Sequence, residues 1–455
     1  MTKARRGPRD IAREVLSRLE QEDAWATPAL SAALERSSLS PADRGLCTEL
    51  VYGVVRNRER LDRALTAHMP KGLPKRDWIV ANALRIAAYQ LLMLDRVPAH
   101  AAVDDAVNAI KALRGDSMGG FANAVLRKLA TSGEPPLPPP GLERIAIEHS
   151  LPRWILDSLA AALGDPPLAE LDAAAAATVA PPTLSLRVTA RAPSRDAALA
   201  RLAAERPEAT LEPSPLLPEA ILARGLQQPQ ATGASSDGWI VAQDVGAQLI
   251  ARMLAPAADA RVLDACAGRG GKTLHLHDLG AHDLTVVDLA QAKLSAMADL
   301  ARATGVTPRR MLACDLTDAV ATRAALGEAS FDAVLLDAPC SGLGVLRRHP
   351  EAKLRRAATD PARMAELTAR IIDNVAPLVA PGGVLVFAVC TFTPEETEAQ
   401  LGRLLAKHPF SLEPPPAQPG VDWAAVTDAR GVMRTFPHRH QADAFFAARL
   451  RRRST

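Results

Sequence analysis

The chain has 455 residues, a length that suggests about three domains of roughly 150 residues each, and 48% of it is apolar, ample for large buried cores. It has no run of about 18 apolar residues to span a membrane, and its basic start, "MTKARRGPRDIAREVL", lacks the apolar stretch of a signal peptide. The net charge is only +3, and five scattered cysteines, an odd number, point to reduced thiols in a cytoplasmic protein.

From residue 9 to about 130 the pattern is helical. "DIAREVLSRLE", "LSPADRGLCTELVYGVVRNRERLDRALTAH", "DWIVANALRIAAYQLLML" and "FANAVLRKLA" space apolar residues three and four apart. Ser40 before Pro41 reads as an N-cap with proline in the first turn. "TSGEPPLPPPGLE" cannot continue a helix and reads as a linker. A small α/β piece follows, with a helix at "LPRWILDSLAAAL", a strand at "PPTLSLRVTA", a helix at "SRDAALARLAAE" and a strand at "ILARG". From about Gly238 strands alternate with helices: "RVLDAC", "LTVVDL", "RRMLACD", "FDAVLLDAP", "GGVLVFAVC" and "AFFAARL" are the strands. That alternation predicts a mostly parallel sheet covered on both faces. Ligands in such sheets bind at the carboxyl ends of strands, where Asp264, Asp288, Asp315, Asp337 and Cys390 fall.

Lys and Arg cluster in "MTKARRGPR", "VVRNRERLDR", "LRRHPEAKLRR", "FPHRHQ" and "RLRRR". Such clusters suit a phosphate backbone or simply keep a surface soluble. Aromatics are only 3%, so an RNA partner would be held mostly by its phosphates, with one base handled in a pocket.

"DACAGRGGKT" follows the first strand of the alternating region and opens a helix. Its glycines allow close backbone approach, and the helix offers free N–H groups. It nearly matches a nucleotide triphosphate loop, but Cys266 stands where that pattern needs its first glycine. Asp288, about twenty residues past the loop, suits two ribose hydroxyls. Asp315 ends the third strand, where it could meet an adenine amino group. Any one of these acids alone is an ordinary helix cap or loop residue; three in register beside a glycine loop favour a bound nucleoside. "LHLH" (His275, His277) and "HRH" (His438, His440) lack a local third ligand, so no metal is expected. Cys47 and Cys314 read as small buried hydrophobes. Cys390 alone reads as a buried strand residue; the polar "TFTPEE" that follows places it at a strand end beside a new helix, a position a nucleophile could also take.

In this order, "DACAGRGGKT", "VVDLAQAKL", "ACD", "DAPCSGLGVLRRHPEAK" and "VCTFTPEE" resemble the S-adenosylmethionine-dependent RNA cytosine-5 methyltransferases of the Sun/Fmu family. "VPAHAAVDDAVNAIK" and "GFANAVLRKL" resemble the NusB-like helical domain of the RsmB branch of that family. With the pattern above, this implies an α/β architecture: a Rossmann-like class I S-adenosylmethionine methyltransferase domain at 238–455, preceded by an all-α NusB-like RNA-binding domain at 1–130, a Pro-rich linker at 131–143 and a small α/β subdomain at 144–237.

The resemblance further implies methylation of carbon 5 of a cytosine in small-subunit (16S) ribosomal RNA, with S-adenosyl-L-methionine as cofactor. Cys266, Ala267, Gly268, Arg269, Gly270, Gly271 and Lys272 would form the cofactor loop. Asp288 would hold the ribose, Asp315 would lie near the adenine, and Asp337 would touch both cofactor and target base. Cys390 matches the nucleophile, which adds to carbon 6 of the base, and Cys340 matches the second cysteine, which assists release. The expected partner is ribosomal RNA, without membrane or metal, and the expected state a monomer. The chain departs from the family pattern at Arg269 (usually proline), Thr397 (usually asparagine) and Ala444 (usually glycine); none of these removes a catalytic group. Two other readings stay open. A cytosine-5 methyltransferase acting on transfer RNA is opposed only by the N-terminal domain, and a non-catalytic RNA-binding factor is opposed by intact Cys340 and Cys390.

Overall fold

A computed structural model describes residues 6–22, 24–74, 76–327 and 330–454; residues 1–5, which open the basic N-terminal cluster, lie outside it. The chain divides into two units. One comprises Met1–Ala160, Pro166–Ala180 and Leu346–Arg355, and the other Ala161–Asp165, Pro181–Val345 and Arg356–Thr455. Among the described residues no helix is long and apolar enough to cross a membrane.

The first unit is helical. Helices Pro8–Gln21, Pro41–Arg56, Arg58–Thr66, Ala99–Arg114 and Asp116–Ser132 surround Trp78–Met93, and Ala26–Glu35 packs on the first two of them. That central helix buries Val80, Leu84, Ile86, Ala87 and Ala88 on every side of its axis, as a helix enclosed by others must. Ser40 does cap its helix: its hydroxyl accepts the Asp43 N–H at 3.2 Å, and Pro41 fills the first turn. The Pro-rich stretch is held rather than loose. Arg60 grips Glu134 through two bonds of 2.7 and 2.8 Å, and Arg63 donates to the carbonyls of Pro135 and Pro136 at 3.0 and 2.5 Å.

Leu346–Arg355, the basic stretch after the first cysteine motif, belongs to this helical unit. Glu351 accepts the Ala26 N–H at 2.9 Å, Lys353 donates to the Arg56 carbonyl, and Arg355 lies over the Trp25 ring at 5.0 Å. Lys353 is only 2% exposed. Burial lowers its ammonium to about 7, against the opposing pull of Glu59. The cluster "LRRHPEAKLRR" is therefore largely internal structure and not an open basic face. The same holds for Arg58, paired with Glu20, and for Arg449, buried against the carbonyls of Met253 and Leu254.

The second unit holds two sheets. The smaller is antiparallel, formed by β1 (Leu184–Val188), β2 (Thr210–Pro213), β3 (Ala220–Arg224) and β4 (Ile240–Ala242) in the order β2-β3-β1-β4. Helix Arg195–Glu205, capped by the Ser194 hydroxyl, packs Ala198 and Leu202 against it.

The larger sheet contains β5 (Arg261–Ala265), β6 (Asp283–Asp288), β7 (Arg310–Ala313), β8 (Phe331–Asp337), β9 (Val379–Val389), β10 (Phe410–Leu412), β11 (Met433–Arg434) and β12 (Phe446–Arg452). Its order is β10-β12-β9-β8-β5-β6-β7, with β11 on β12. Strands β9, β8, β5, β6 and β7 run parallel, β12 adds antiparallel to β9, and β10 lies antiparallel beyond β12. Alternate residues feed opposite faces. Leu263, Val334, Leu336 and Phe387 enter one core and Val262, Leu335, Val386 and Ala388 the other, all buried. Successive strands leave β5 in both directions, so the chain reverses its order between β5 and β8. That point is where open α/β sheets form a crevice at their carboxyl ends.

Candidate active site

The tips of β8 and β9 meet beside the reversal. Beyond β8 and β9 the pairing continues: Ala338 donates to the Ala388 carbonyl at 2.8 Å, and Gly344 donates to the Cys390 carbonyl at 3.0 Å. Gly344 also accepts the Ala444 N–H at 2.9 Å. A Cβ on Gly344 would sit 1.9 Å from the Ala444 oxygen and 2.8 Å from the Cys390 oxygen, so only glycine permits this approach. The result places Cys340 Sγ 3.3 Å from Cys390 Sγ, although the residues lie fifty apart in sequence. The Cys340 thiol is pushed well above its usual range, first by its hydrogen bond with the Cys390 sulfur and then by burial. The Cys340 loop is pinned by Thr368, which donates to Pro339 O at 2.8 Å, and by Arg356, which donates to Ser341 O at 2.9 Å.

The glycine loop lies at the tip of β5. Cys266, Gly268 and Gly270 all have positive φ, at 68°, 61° and 82°. Cys266 therefore takes a glycine-like backbone in the position where a nucleotide triphosphate loop would have glycine, an uncommon state for a side-chain-bearing residue. A Cβ on Gly270 would lie 2.3 Å from Met297, while Gly268 faces open space. Ala267 N–H donates to the Val287 carbonyl at 2.9 Å and Gly268 N–H to Asp288 Oδ2 at 2.9 Å. The other Asp288 oxygen takes the Ala290 N–H at 2.8 Å. Asp288 thus shapes the loop as well as ending β6. Arg269 is exposed at the crest of the loop. Asp264 is fully buried and bonded by the Thr273 hydroxyl; burial raises its carboxyl to about 7.

Lys272 leaves the loop toward the cysteines. Its Nζ stands 2.5 Å from Asp337 Oδ2 and 5.5 Å from the Phe445 ring centre. Burial works against its charge, but Asp337 outweighs that effect and the ammonium is held above its usual value. Asp315, beyond the end of β7, is exposed. Its carboxylate takes the Thr317 N–H and hydroxyl at 2.9 and 2.7 Å, and those bonds lower its pKa. The structure therefore brings Cys340 and Cys390 together and Lys272 onto Asp337, with Cys266–Gly271 and Asp288 in one loop assembly. Asp315 stands apart, three strand positions from β8. Among the described residues no group of three or more His, Cys, Asp or Glu is placed to hold a metal.

Residues 251–451 match the family model described as 16S rRNA methyltransferase RsmB/F, and residues 6–131 match the NusB family. The "Probable ribosomal RNA small subunit methyltransferase B" of Bacillus subtilis (strain 168) is 32% identical over 458 residues, covering 98% of each chain. The chain belongs to the RsmB/F methyltransferase family. Ribosomal RNA small subunit methyltransferase B of Pseudomonas putida is 34% identical over 89% of this chain and 90% of its own. A crystal structure of PH0851 shares the RsmB/F chain's fold over 99% of this chain and 100% of that one, with a TM-score of 0.80 at 24% identity.

Three features of this RsmB/F site are not readable from motif spacing. The Lys272–Asp337 ion pair joins residues 65 apart. Gly344 is needed for an approach by backbone, not by side chains. Leu289, immediately after Asp288, is 69% exposed and adds an apolar surface beside the acid. An exposed leucine has no sequence signal that separates it from a core one.

Proposed function

We propose that this methyltransferase modifies carbon 5 of a cytosine in small-subunit ribosomal RNA, using S-adenosylmethionine and a covalent bond from Cys390 to carbon 6 of the base. The observation that carries the reading is the pair of thiols 3.3 Å apart beside the Lys272–Asp337 ion pair. The names of its relatives favour ribosomal RNA as the substrate.

The cofactor loop suits a nucleoside. Its glycines leave open space at Gly268, its backbone is fixed by Asp288, and Leu289 offers an apolar face. With adjacent strands about 4.8 Å apart, the three positions from β8 to β7 span roughly 14 Å. That is room for a nucleoside lying across the strand ends, its sugar at Asp288 and its base toward Asp315. Bound S-adenosylmethionine supplies an electrophilic methyl group.

The residues then divide the work. Carbon 5 of cytosine is a poor nucleophile, and addition of the Cys390 thiolate at carbon 6 makes it enamine-like. Asp337, as a carboxylic acid taking its proton from the Lys272 ammonium it contacts, would donate a hydrogen bond to the ring nitrogen as negative charge develops there. Until that transfer Lys272 supplies positive charge in a partly enclosed site, where it counts for more than in water. Once carbon 5 carries the methyl, its proton leaves to a base and the Cys390–C6 bond breaks. Cys340 stands beside that bond, and release is its role. The base must leave its stack to reach both thiols, which costs least at an unpaired or looped site.

Calorimetry should detect S-adenosylmethionine binding that survives a chelator. Asp288→Ala should weaken it by about 1–3 kcal/mol, the scale for losing a hydrogen-bonded carboxylate; unchanged affinity would remove Asp288 from the site. The helical unit is proposed to add RNA affinity. Arg127 and Lys128 are exposed on helix Asp116–Ser132. Replacing both by glutamate should weaken RNA binding and flatten its salt slope by about two, with cofactor affinity unchanged. An unaltered slope would take that helix out of the RNA interface. Bisulfite sequencing of ribosomal and transfer RNA, with and without the protein, tests the substrate: a cytosine protected only in small-subunit RNA is expected, and protection only in transfer RNA would overturn the assignment.

A further inference from the structure

Glu396 is only 2% exposed, whereas its neighbour Glu395 is on the surface. Its Oε1 accepts the Ser341 N–H at 2.6 Å. Its Oε2 accepts the hydroxyls of Ser341 at 2.6 Å, Thr393 at 2.7 Å and Thr391 at 3.3 Å. Ser341 directly follows Cys340, and Thr391 directly follows Cys390. The two hydroxyls also meet each other at 2.9 Å. One buried carboxylate therefore closes a ring between the two loops that carry the thiols.

We infer that Glu396 is a positioning residue for the reaction: it fixes the separation and aim of Cys340 and Cys390 by binding the residue after each. This rests on the covalent reading above. The donor count explains why a carboxylate is present. The Ser341 N–H and hydroxyl and the Thr393 hydroxyl donate to it, the Thr391 hydrogen is shared with the Ser341 oxygen, and an ionised carboxylate accepts all of them, whereas a glutamine would turn two N–H donors toward hydroxyls. Burying a charge is costly unless hydrogen bonds compensate. Here burial pushes the carboxyl up, and the bonds from Ser341, Thr393 and Thr391 oppose it. The Cys390 thiol must reach carbon 6 while Cys340 stands ready at the same bond, so a shift of one loop by about 1 Å is enough to cost roughly a hundredfold in rate.

The test compares Glu396→Gln, Glu396→Ala, Glu395→Gln and Cys390→Ala in the full chain, measuring kcat and KM for methyl transfer to RNA, cofactor affinity and melting temperature. Glu396→Gln should lower kcat about tenfold and Glu396→Ala about a hundredfold, with KM for RNA and cofactor affinity within about twofold of wild type. Glu395→Gln should match wild type. Glutamine keeps the side-chain volume and one acceptor, so it decides the matter if the alanine variant does not fold. A full-rate Glu396→Gln beside an inactive Cys390→Ala overturns the positioning role alone. A kcat loss matched by an equal loss of cofactor affinity also overturns it, because that marks a general structural defect. An active Cys390→Ala overturns instead the covalent reading on which the inference rests.

Discussion

Cys390→Ala is expected to yield a folded, cofactor-binding protein that transfers no methyl group and forms no covalent complex with RNA. The loss should be on the order of 10⁴-fold or more, the scale of deleting a covalent nucleophile. The substitution is small, at a partly buried position where the backbone is held by the bond from Gly344 to the Cys390 carbonyl, and alanine retains that carbonyl. Cofactor affinity should therefore persist, because the glycine loop is built around Asp288 and Met297 and not around the cysteines. Radiolabelled methyl incorporation beside calorimetry separates the two effects. Normal incorporation by the variant would remove Cys390 from the chemistry.

Cys340→Ala is expected to fail at a later stage. The nucleophile remains, so the adduct forms, but the thiol beside the breaking bond is gone. Turnover should fall sharply, and a protein–RNA complex that resists denaturing electrophoresis should accumulate. The prediction rests on the 3.3 Å between the two sulfurs. Adding Cys390→Ala to this variant should abolish the complex. A complex that persists in the double variant would mean that another residue carries the RNA.

Much of the catalytic fold is legible in the sequence because its strands are buried on both faces. "FDAVLLDAP" and "GGVLVFAVC" are apolar runs of strand length, and they become β8 and β9 at the centre of the sheet. The cysteines stand out because polar residues follow each run immediately. The short edge strands β10 and β11 carry no such run, and three-residue and two-residue pairings leave no period to detect. Nor does any local pattern report that Leu346–Arg355 is part of the helical unit. Glu351 meets Ala26 across 325 residues, and a buried lysine and arginine reverse the usual rule that charge marks a surface. The basic cluster there reads as a surface, whether for phosphates or for solubility, until its partners are visible.

The site divides in the same way. The glycine loop, Asp288 and the two cysteines are readable because each is tied to a strand end. The Lys272–Asp337 pair and the Glu396–Ser341 bonds are long-range, set by how strands lie in the sheet and not by spacing within one of them. Cys266 shows the limit from the other side: its mismatch to a nucleotide triphosphate loop is visible in sequence, but its glycine-like φ of 68° is not.

The central claim, that Cys390 bonds to a cytosine during methyl transfer, is tested most directly by tandem mass spectrometry of the complex trapped by Cys340→Ala, after digestion with nuclease and protease. The expected result is a single modified peptide, with a methylated cytidine nucleotide attached at Cys390. A nucleotide on any other residue, or a complex that dissociates fully on denaturation and leaves Cys390 unmodified, would contradict it.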